Sequence, residues 1–365
     1  MEPRNVRPSH IANALGLSEP EAFAAARNLH DWFNKPFSRT KNGKTREYDP
    51  PTGVGRKRLS RLANFVAREL PCHSCAHGSV QKRSPFTAAA VHLGARILIK
   101  RDVKNCFPSM SPGRFEVEMR ALGFSEEVCF LLTGLLLFRG RLPQGSPASN
   151  AALNLFFFRT DEAIRLAAAR FGGRYTRFAD DFNISISDRA FVVDAANLLE
   201  KSLAACGLET NRKKRKQEGL RLIHEERIVN GVATNSPNGT RLPAAVAARL
   251  VRNAEALLVS AKSASPGTLA GIAERRRRLE GSLNYAAMAA RSPAKAMRRI
   301  LSLTDDAIRS RLNKSDIKTT EVWWQKNQHH DVAEVIAARW FSKLGGNFAN
   351  APVIIGSDVV DRAIA

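Results

Sequence analysis

RYTRFADDFNISIS, from Arg174 to Ser187, sets two adjacent aspartates between two short segments of alternating character. Tyr175, Arg177 and Ala179 share one side of an extended chain, and Phe182, Ile184 and Ile186 continue the period of two. The segment therefore reads as a β-hairpin, with Asp180 and Asp181 at its tight turn. Hard cations such as Mg²⁺ take oxygen ligands, so paired carboxylates on a rigid support suit a divalent-metal site for phosphoryl chemistry. Aspartate is also an ordinary turn residue, and the pair alone does not choose between these readings.

Upstream, ARILIKRDVKNCFPSM (Ala95 to Met110) has the pattern of a buried strand, Ile97, Leu98 and Ile99, followed by Asp102 and the aromatic Phe107. An acid there terminates a strand or completes a carboxylate cluster with the hairpin. Two-metal sites hold their ions about 3.5–4 Å apart, which takes carboxylates brought from separate strands. Between the two segments, RLPQGSPASNAALNLFFFRTDEAI (Arg141 to Ile164) carries a Pro-Gln-Gly-Ser-Pro turn. The turn leads into a helix for which Ser149 or Asn150 is the expected cap.

The order strand-Asp102, Pro143-Gln144-Gly145-Ser146-Pro147, then Phe178-Ala179-Asp180-Asp181 resembles the palm of a reverse transcriptase, most closely the bacterial retron-type branch. KNGKTREYDPP (Lys41 to Pro51) resembles a fingers strand, CAHGSVQKRS (Cys75 to Ser84) the AHGF-like segment, GLETNRKKRK (Gly207 to Lys216) the strand and lysine region after the palm hairpin, and RIVNGVATN (Arg227 to Asn235) the VTG segment before the thumb. Two positions depart from the family pattern. His92 of the NAxxH segment is kept, but Ala88 stands where the family has Asn, and Asn230 replaces the Thr of VTG. Both positions are linked in the family to recognition of the retron's own structured RNA.

The resemblance implies an α+β, right-hand polymerase fold with fingers, an antiparallel palm sheet with helices, and a helical thumb. It also implies an RNA-directed DNA polymerase using two Mg²⁺ ions, held by Asp102 and Asp180, the carbonyl of Val103, and Asp181 as an additional carboxylate. Phe107 would exclude a ribose 2′-hydroxyl, Gln144 would position the incoming nucleotide, and Lys41 and Arg46 would clamp its triphosphate. Lys213 and Lys214 fall where the family places a catalytic-loop lysine. The implied partners are dNTPs, a structured non-coding RNA as template and candidate primer, its DNA product, and a separate effector protein in anti-phage defence. Other readings are a defence-associated reverse transcriptase with untemplated or protein-primed synthesis, a domesticated maturase or mutagenic retroelement enzyme, and a catalytically idle RNA-binding scaffold.

Composition points to nucleic acid independently. Lys and Arg number 57 against 34 Asp and Glu, a formal charge of +23 on 365 residues, and a polyanion is the natural counterpart. The charge is clustered: Lys213, Lys214 and Arg215 lie in one basic run, and Arg275, Arg276, Arg277 and Arg278 form a second on an expected helix. Uninterrupted blocks favour phosphate contact over a solvated face of mixed sign. Cys72, His73, Cys75 and His77 offer two or three zinc ligands, but structural sites take four and no second Cys pair follows, so zinc is not expected. Five cysteines, an odd total, and no secretory leader suit a reducing bacterial cytoplasm.

The expected organisation is a helical segment over 1–36 with Ser18 and Glu21 as a capping box, fingers and palm over 37–237, a helical thumb over 238–300 and a helical extension over 301–365. CFLLTGLLLF (Cys129 to Phe138) is half a membrane span and reads as a buried palm helix. In the tail, Trp323, Trp324 and Trp340 suit packing, and His329 and His330 suit solvent.

Overall fold

The structure, a computed structural model, describes residues 2–41, 43–211, 226–263 and 269–309. The chain divides into two compact units, residues 1–240 and 241–365.

The first unit opens with α1 (Pro8–Leu15) and α2 (Glu19–Arg27). Ser18 caps α2 as expected: its Oγ accepts from the Glu21 amide at 3.4 Å, and Glu21 Oε2 accepts from the Ser18 amide at 2.7 Å. An antiparallel hairpin follows, β1 (Phe37–Lys41) and β2 (Lys44–Tyr48), then α3 (Gly53–Glu69) and α4 (Pro85–Ala90). Strand β3 (Ile97–Asp102) leads to the single turn α5 (Cys106–Ser109) and to α6 (Pro112–Leu122) and α7 (Glu126–Leu136). The apolar run therefore is a buried helix, with Val128, Leu131, Leu132 and Leu135 wholly enclosed. Gly134 lets α7 approach α2, because a Cβ there would lie 2.3 Å from the Ala26 carbonyl oxygen. Among the described residues no helix is long and apolar enough to cross a membrane.

Helices α8 (Ser149–Phe156) and α9 (Phe158–Ala169) precede the hairpin of β4 (Arg174–Phe178) and β5 (Asp181–Ile186). Ser149 is not the cap of α8. It is the first helical residue, its Oγ donates to the Pro143 carbonyl at 2.7 Å, and Ala148 holds the cap position. The loop before the helix uses the hydroxyl that a cap would have used.

The principal sheet has the order β3-β5-β4, antiparallel throughout. Directly opposed residues share a face, so Ile97, Ile99, Tyr175, Arg177, Phe182, Ile184 and Ile186 form one face, packed on α9 and on α10 (Val192–Ala205). The other face carries Thr176, Asn183 and Ser185, which are also buried. The alternation along the hairpin is thus realised as one largely apolar face and one enclosed face that carries these polar side chains. His92 ties the polar face together: Nδ1 meets Ser185 Oγ and Nε2 meets Thr176 Oγ1, both at 2.7 Å. Burial holds this imidazole down at a pKa of about 3, so it spans the two strands as a neutral strut. Ala88, in α4, is fully buried, where the amide of an Asn would need partners. A short hairpin of β6 (Ile228–Val229) and β7 (Val232–Ala233) completes the described part of this unit.

The described part of the second unit contains three helices that pack on one another, α11 (Ala244–Lys262), α12 (Leu269–Ala287) and α13 (Ala294–Arg309). α13 buries Ala294, Met297, Leu301 and Thr304, a stripe at spacings of three and four. It runs through residue 300, where the sequence reading placed a boundary. The tail residues Trp323, Trp324, Trp340, His329 and His330 lie outside the described residues.

Candidate active site

Asp102 ends β3 and Asp181 begins β5, and the two are register partners across the antiparallel pair. Asp180 occupies the two-residue turn between β4 and β5, and its carbonyl accepts from the Val103 amide at 3.3 Å. Carboxylates more than seventy positions apart in sequence are thereby brought to one end of one sheet. The turn is tight because Ala179 takes a left-handed backbone, φ 53°, as short hairpin loops demand of their first position.

Three groups hold that turn. The guanidinium of Arg177, wholly buried, forms a double hydrogen bond with Asp161 of α9, Nε to Oδ1 at 3.0 Å and Nη2 to Oδ2 at 2.8 Å. Its remaining nitrogen, Nη1, donates to the Ala179 carbonyl at 3.0 Å and to Asn154 Oδ1 at 3.1 Å. Burial opposes its charge, but Asp161 outweighs burial and leaves Arg177 above its ordinary pKa. Tyr175 also donates to Asp161, at 2.6 Å, and burial followed by the Asp161 charge pushes its phenol well up. The third support is the Cys75–His77 segment, which runs beside β4: the Arg177 amide donates to the Cys75 carbonyl and the His77 amide to the Arg177 carbonyl, both at 2.8 Å. Gly78 is required there, because a Cβ would stand 2.6 Å from the Ala179 nitrogen.

None of Asp161, Asn154 and Gly78 was singled out from sequence. The available signal was Arg177 itself, a charge on the apolar side of a strand that demands a buried acid. His73 pairs with Glu162 at 2.8 Å and His77 with Thr87 Oγ1 at 2.8 Å. The five cysteines are free thiols, and burial raises those of Cys72 and Cys75.

Beside the carboxylates lies an open cavity of about 810 Å³. Asp102, Val103, Asp180, Phe107, Gln144 and Arg46 all line it. Phe107 is half-buried, one side against the core and the other toward the cavity. Two expected residues are placed differently. Lys41 is the cross-strand partner of Lys44, and Lys44 rather than Lys41 faces the cavity. Asp181 does not line it; its Oδ2 accepts from Asn230 Nδ2 at 3.3 Å. Asn211, unremarked in the sequence, does line it and donates to Asp102 Oδ2 at 3.3 Å.

The hairpin and the Gln144 loop reach the same cavity because they are bound to each other. Asp49, fully buried, gives its amide to the Gln144 carbonyl at 2.8 Å and its carboxylate to Arg141 at 3.2 Å and Arg139 at 3.3 Å. Arg141 lines the cavity as a neutralised cation, whereas Lys44 and Arg46 carry no acidic partner among the described residues.

The donor set at the hairpin end fits a hard divalent ion. It offers the carboxylates of Asp102, at a strand end, and Asp180, in the turn, with the main chain of Val103 beside an open space. No group of three or more His, Cys, Asp or Glu residues suited to a metal is found among the described residues.

The basic blocks separate on inspection. Lys213, Lys214 and Arg215 lie outside the described residues. On α12, Arg276 is a structural tie, bonded to both oxygens of Asp305 at 2.7 and 2.8 Å and to Glu280 at 3.1 Å. Arg278 pairs with Glu274, and Arg275 donates to Ser260 Oγ at 3.3 Å. Arg275, Arg277 and Arg278 are exposed. The run reads as uniformly basic only until the acids of α12 and α13 are placed beside it.

Residues 56–224 match the family described as reverse transcriptase (RNA-dependent DNA polymerase). The chain is similar to the retron Mx65 reverse transcriptase of Myxococcus xanthus, 32% identical over 172 residues, covering 42% of this chain and 40% of that protein. It is similar to the retron Mx162 reverse transcriptase of the same organism, 37% identical over 142 residues, covering 34% of this chain and 29% of that protein. A third relative is the retron Ec86 reverse transcriptase of Escherichia coli, 30% identical over 185 residues, covering 47% of this chain and 58% of that protein. The chain thus spans between 29% and 58% of the length of these relatives. Asp102, the Gln144 loop and the carboxylate-bearing hairpin all fall within residues 56–224, and it is over this part of its length that the chain resembles reverse transcriptases, those of bacterial retrons among them.

Proposed function

We propose that this chain is an RNA-directed DNA polymerase that copies a structured non-coding RNA into DNA, with fingers and palm over 37–237, a helical thumb over 238–300, and a part in anti-phage defence. The observation that carries the reading is the register of Asp102 against Asp181, with Asp180 at the turn, beside a cavity that also receives Phe107, Gln144 and Arg46. Asp102 and Asp180, with the carbonyl of Val103, are the groups that would hold two Mg²⁺ ions, and Asp181 supports them. When bound, such ions supply a lowered pKa for a primer hydroxyl and charge stabilisation for a leaving pyrophosphate.

The protein's own contribution is position and selection. Arg46 offers a planar fork to a triphosphate, joined by Lys44, the residue of the Lys41–Lys44 pair that lines the cavity. Gln144, fixed through the Asp49 amide, orients the nucleotide from the opposite side. Phe107, half-buried at the cavity wall, would stand against a 2′-hydroxyl and so select dNTPs. Arg275, Arg277 and Arg278 remain candidates for phosphate contact, as do Lys213, Lys214 and Arg215.

The test is to purify the chain and sequence the nucleic acid that accompanies it. A discrete RNA joined to complementary DNA is the expected result, and its synthesis on a primed RNA template should require dNTPs and Mg²⁺. Homopolymeric DNA, or RNA without any DNA, would contradict the reading.

A further inference from the structure

The turn joining β6 and β7 consists of Asn230 and Gly231, at φ 49° and 82°. Positive φ at both central positions is what a two-residue hairpin loop needs to match strand twist, and Asn-Gly is its favoured sequence. A β-branched residue is strained there, so the Asn at 230 has a local physical reason.

Its side chain reaches beyond the turn. Nδ2 donates to Asp181 Oδ2 at 3.3 Å, and Oδ1 accepts from Asn183 Nδ2 at 3.4 Å. An ionised carboxylate only accepts, which fixes the orientation of the Asn230 amide and leaves its oxygen for Asn183. Asn183 lies two residues beyond Asp181 on the same face of β5, is fully buried, and its own Oδ1 has no hydrogen-bond partner among the described residues. The buried amide is thus aligned on Asn230 while its own oxygen goes unmatched. The need for such a device follows from the register: Asp181 stands directly opposite Asp102, and opposed like charges on one sheet face repel. Asn211 serves the Asp102 carboxylate in the same manner, its side-chain amide donating to Oδ2 at 3.3 Å, while its main-chain amide donates to the Asp102 main-chain carbonyl at 2.8 Å.

We infer that Asn230 is a positioning residue for nucleotidyl transfer, holding the Asp181 carboxylate against the β6–β7 turn and out of the cavity that Asp102 and Asp180 line. The inference rests on the polymerase reading. It assigns the half-buried side-chain amide at 230 to the Asp181 carboxylate and to Asn183, not to RNA as a recognition contact.

Asn230→Gly is the informative variant, because glycine keeps the left-handed turn and removes the amide. Asn230→Asp keeps shape and turn while setting a carboxylate against a carboxylate. Steady-state primer extension on an RNA template, equilibrium binding of the primed template, and Mn²⁺ titration followed by electron paramagnetic resonance are read for each. Loss of an outer partner of a metal site costs about ten- to a hundredfold in metal affinity or activity. Asn230→Gly is therefore expected to lose that factor in kcat and to bind Mn²⁺ with altered affinity as the released Asp181 carboxylate moves, with KM for dNTP and template affinity within about twofold of wild type. Asn230→Asp should lose kcat likewise. Wild-type kcat with weakened template binding would make Asn230 a nucleic-acid contact and overturn the inference, as would wild-type behaviour of both variants. Should Asn230→Gly melt well below wild type, Asn230→Asp decides by the same kcat and binding readouts. A wild-type protein that makes no DNA would remove the polymerase reading instead, so the two failures are distinguishable.

Discussion

Asp161 is the side chain whose removal most directly tests how the carboxylate-bearing turn is held. It is fully buried, and its two oxygens receive Tyr175 OH, Arg177 Nε and Arg177 Nη2 at 2.6 to 3.1 Å. Asp161→Ala leaves a guanidinium inside the fold with no counter-charge, a change that costs about 3–5 kcal/mol. Against the roughly 5–15 kcal/mol that holds a typical domain together, this is a large fraction. At about 2–4 °C per kcal/mol for a unit of this size, the melting temperature should fall by about 6–20 °C. The double variant Asp161→Leu with Arg177→Met replaces the pair by apolar groups of similar volume, and should recover most of that loss, since a buried ion pair is often matched by hydrophobic packing. Recovery of stability should not restore activity. Arg177 Nη1 also holds the Ala179 carbonyl, so the refolded double variant should still extend primers at least about tenfold more slowly, at the scale of a lost supporting contact. Thermal melts and primer extension on the three proteins are the assay. An Asp161→Ala protein melting within 2 °C of wild type, or a double variant with full activity, would refute the assigned role.

Three further outcomes follow from the same geometry. His92 and His77 are held at about 3 and about 4, in both cases chiefly by burial, with Arg83 adding to the effect on His77. The unfolded chain takes up protons near pH 6.5 that the folded chain refuses, so their contribution is complete above that pH and is lost as pH falls. Each histidine accounts for about 1.4 kcal/mol per pH unit, and denaturant titrations between pH 6.5 and 4.5 should show a slope shallower by that amount in His92→Gln; equal slopes would contradict the burial argument. Phe107→Ala should lower discrimination against ribonucleotides by about ten- to two-hundredfold, the worth of a steric contact of about 1–3 kcal/mol, and unchanged sugar selectivity would remove Phe107 from the pocket. Gly78→Ala forces a methyl against the Ala179 nitrogen and should cost about 1–3 kcal/mol together with kcat; a variant as stable and active as wild type would show that the segment does not press on the turn.

The parts of this site that were legible in sequence are those carried by local chemistry. The carboxylates at the hairpin end and the one at a strand end announce themselves through residue type and period, although the turn is Ala179–Asp180 and Asp181 already begins β5, and the apolar run at α7 announces itself through its length. What stayed hidden depends on which surfaces meet. Nothing in RTDEAI marks Asp161 as the partner of Arg177, because the pairing crosses from α9 to β4. Period alone does not say what covers the Thr, Asn and Ser face of the hairpin; His92 bonds to Ser185 and Thr176 there. Lys41 and Lys44 are equivalent by charge, and only the position of the cavity, which Lys44 lines and Lys41 does not, separates them. Arg276 looked like its neighbours until Asp305, twenty-nine residues away, was placed against it.

The most direct measurement is single-turnover extension of a primed RNA template by Asp180→Asn combined with Asp181→Asn, with RNA affinity measured on the same preparation. Nucleotide incorporation should fall below detection while the affinity for RNA persists. Continued DNA synthesis by that variant would contradict the assignment of the hairpin as the seat of catalysis.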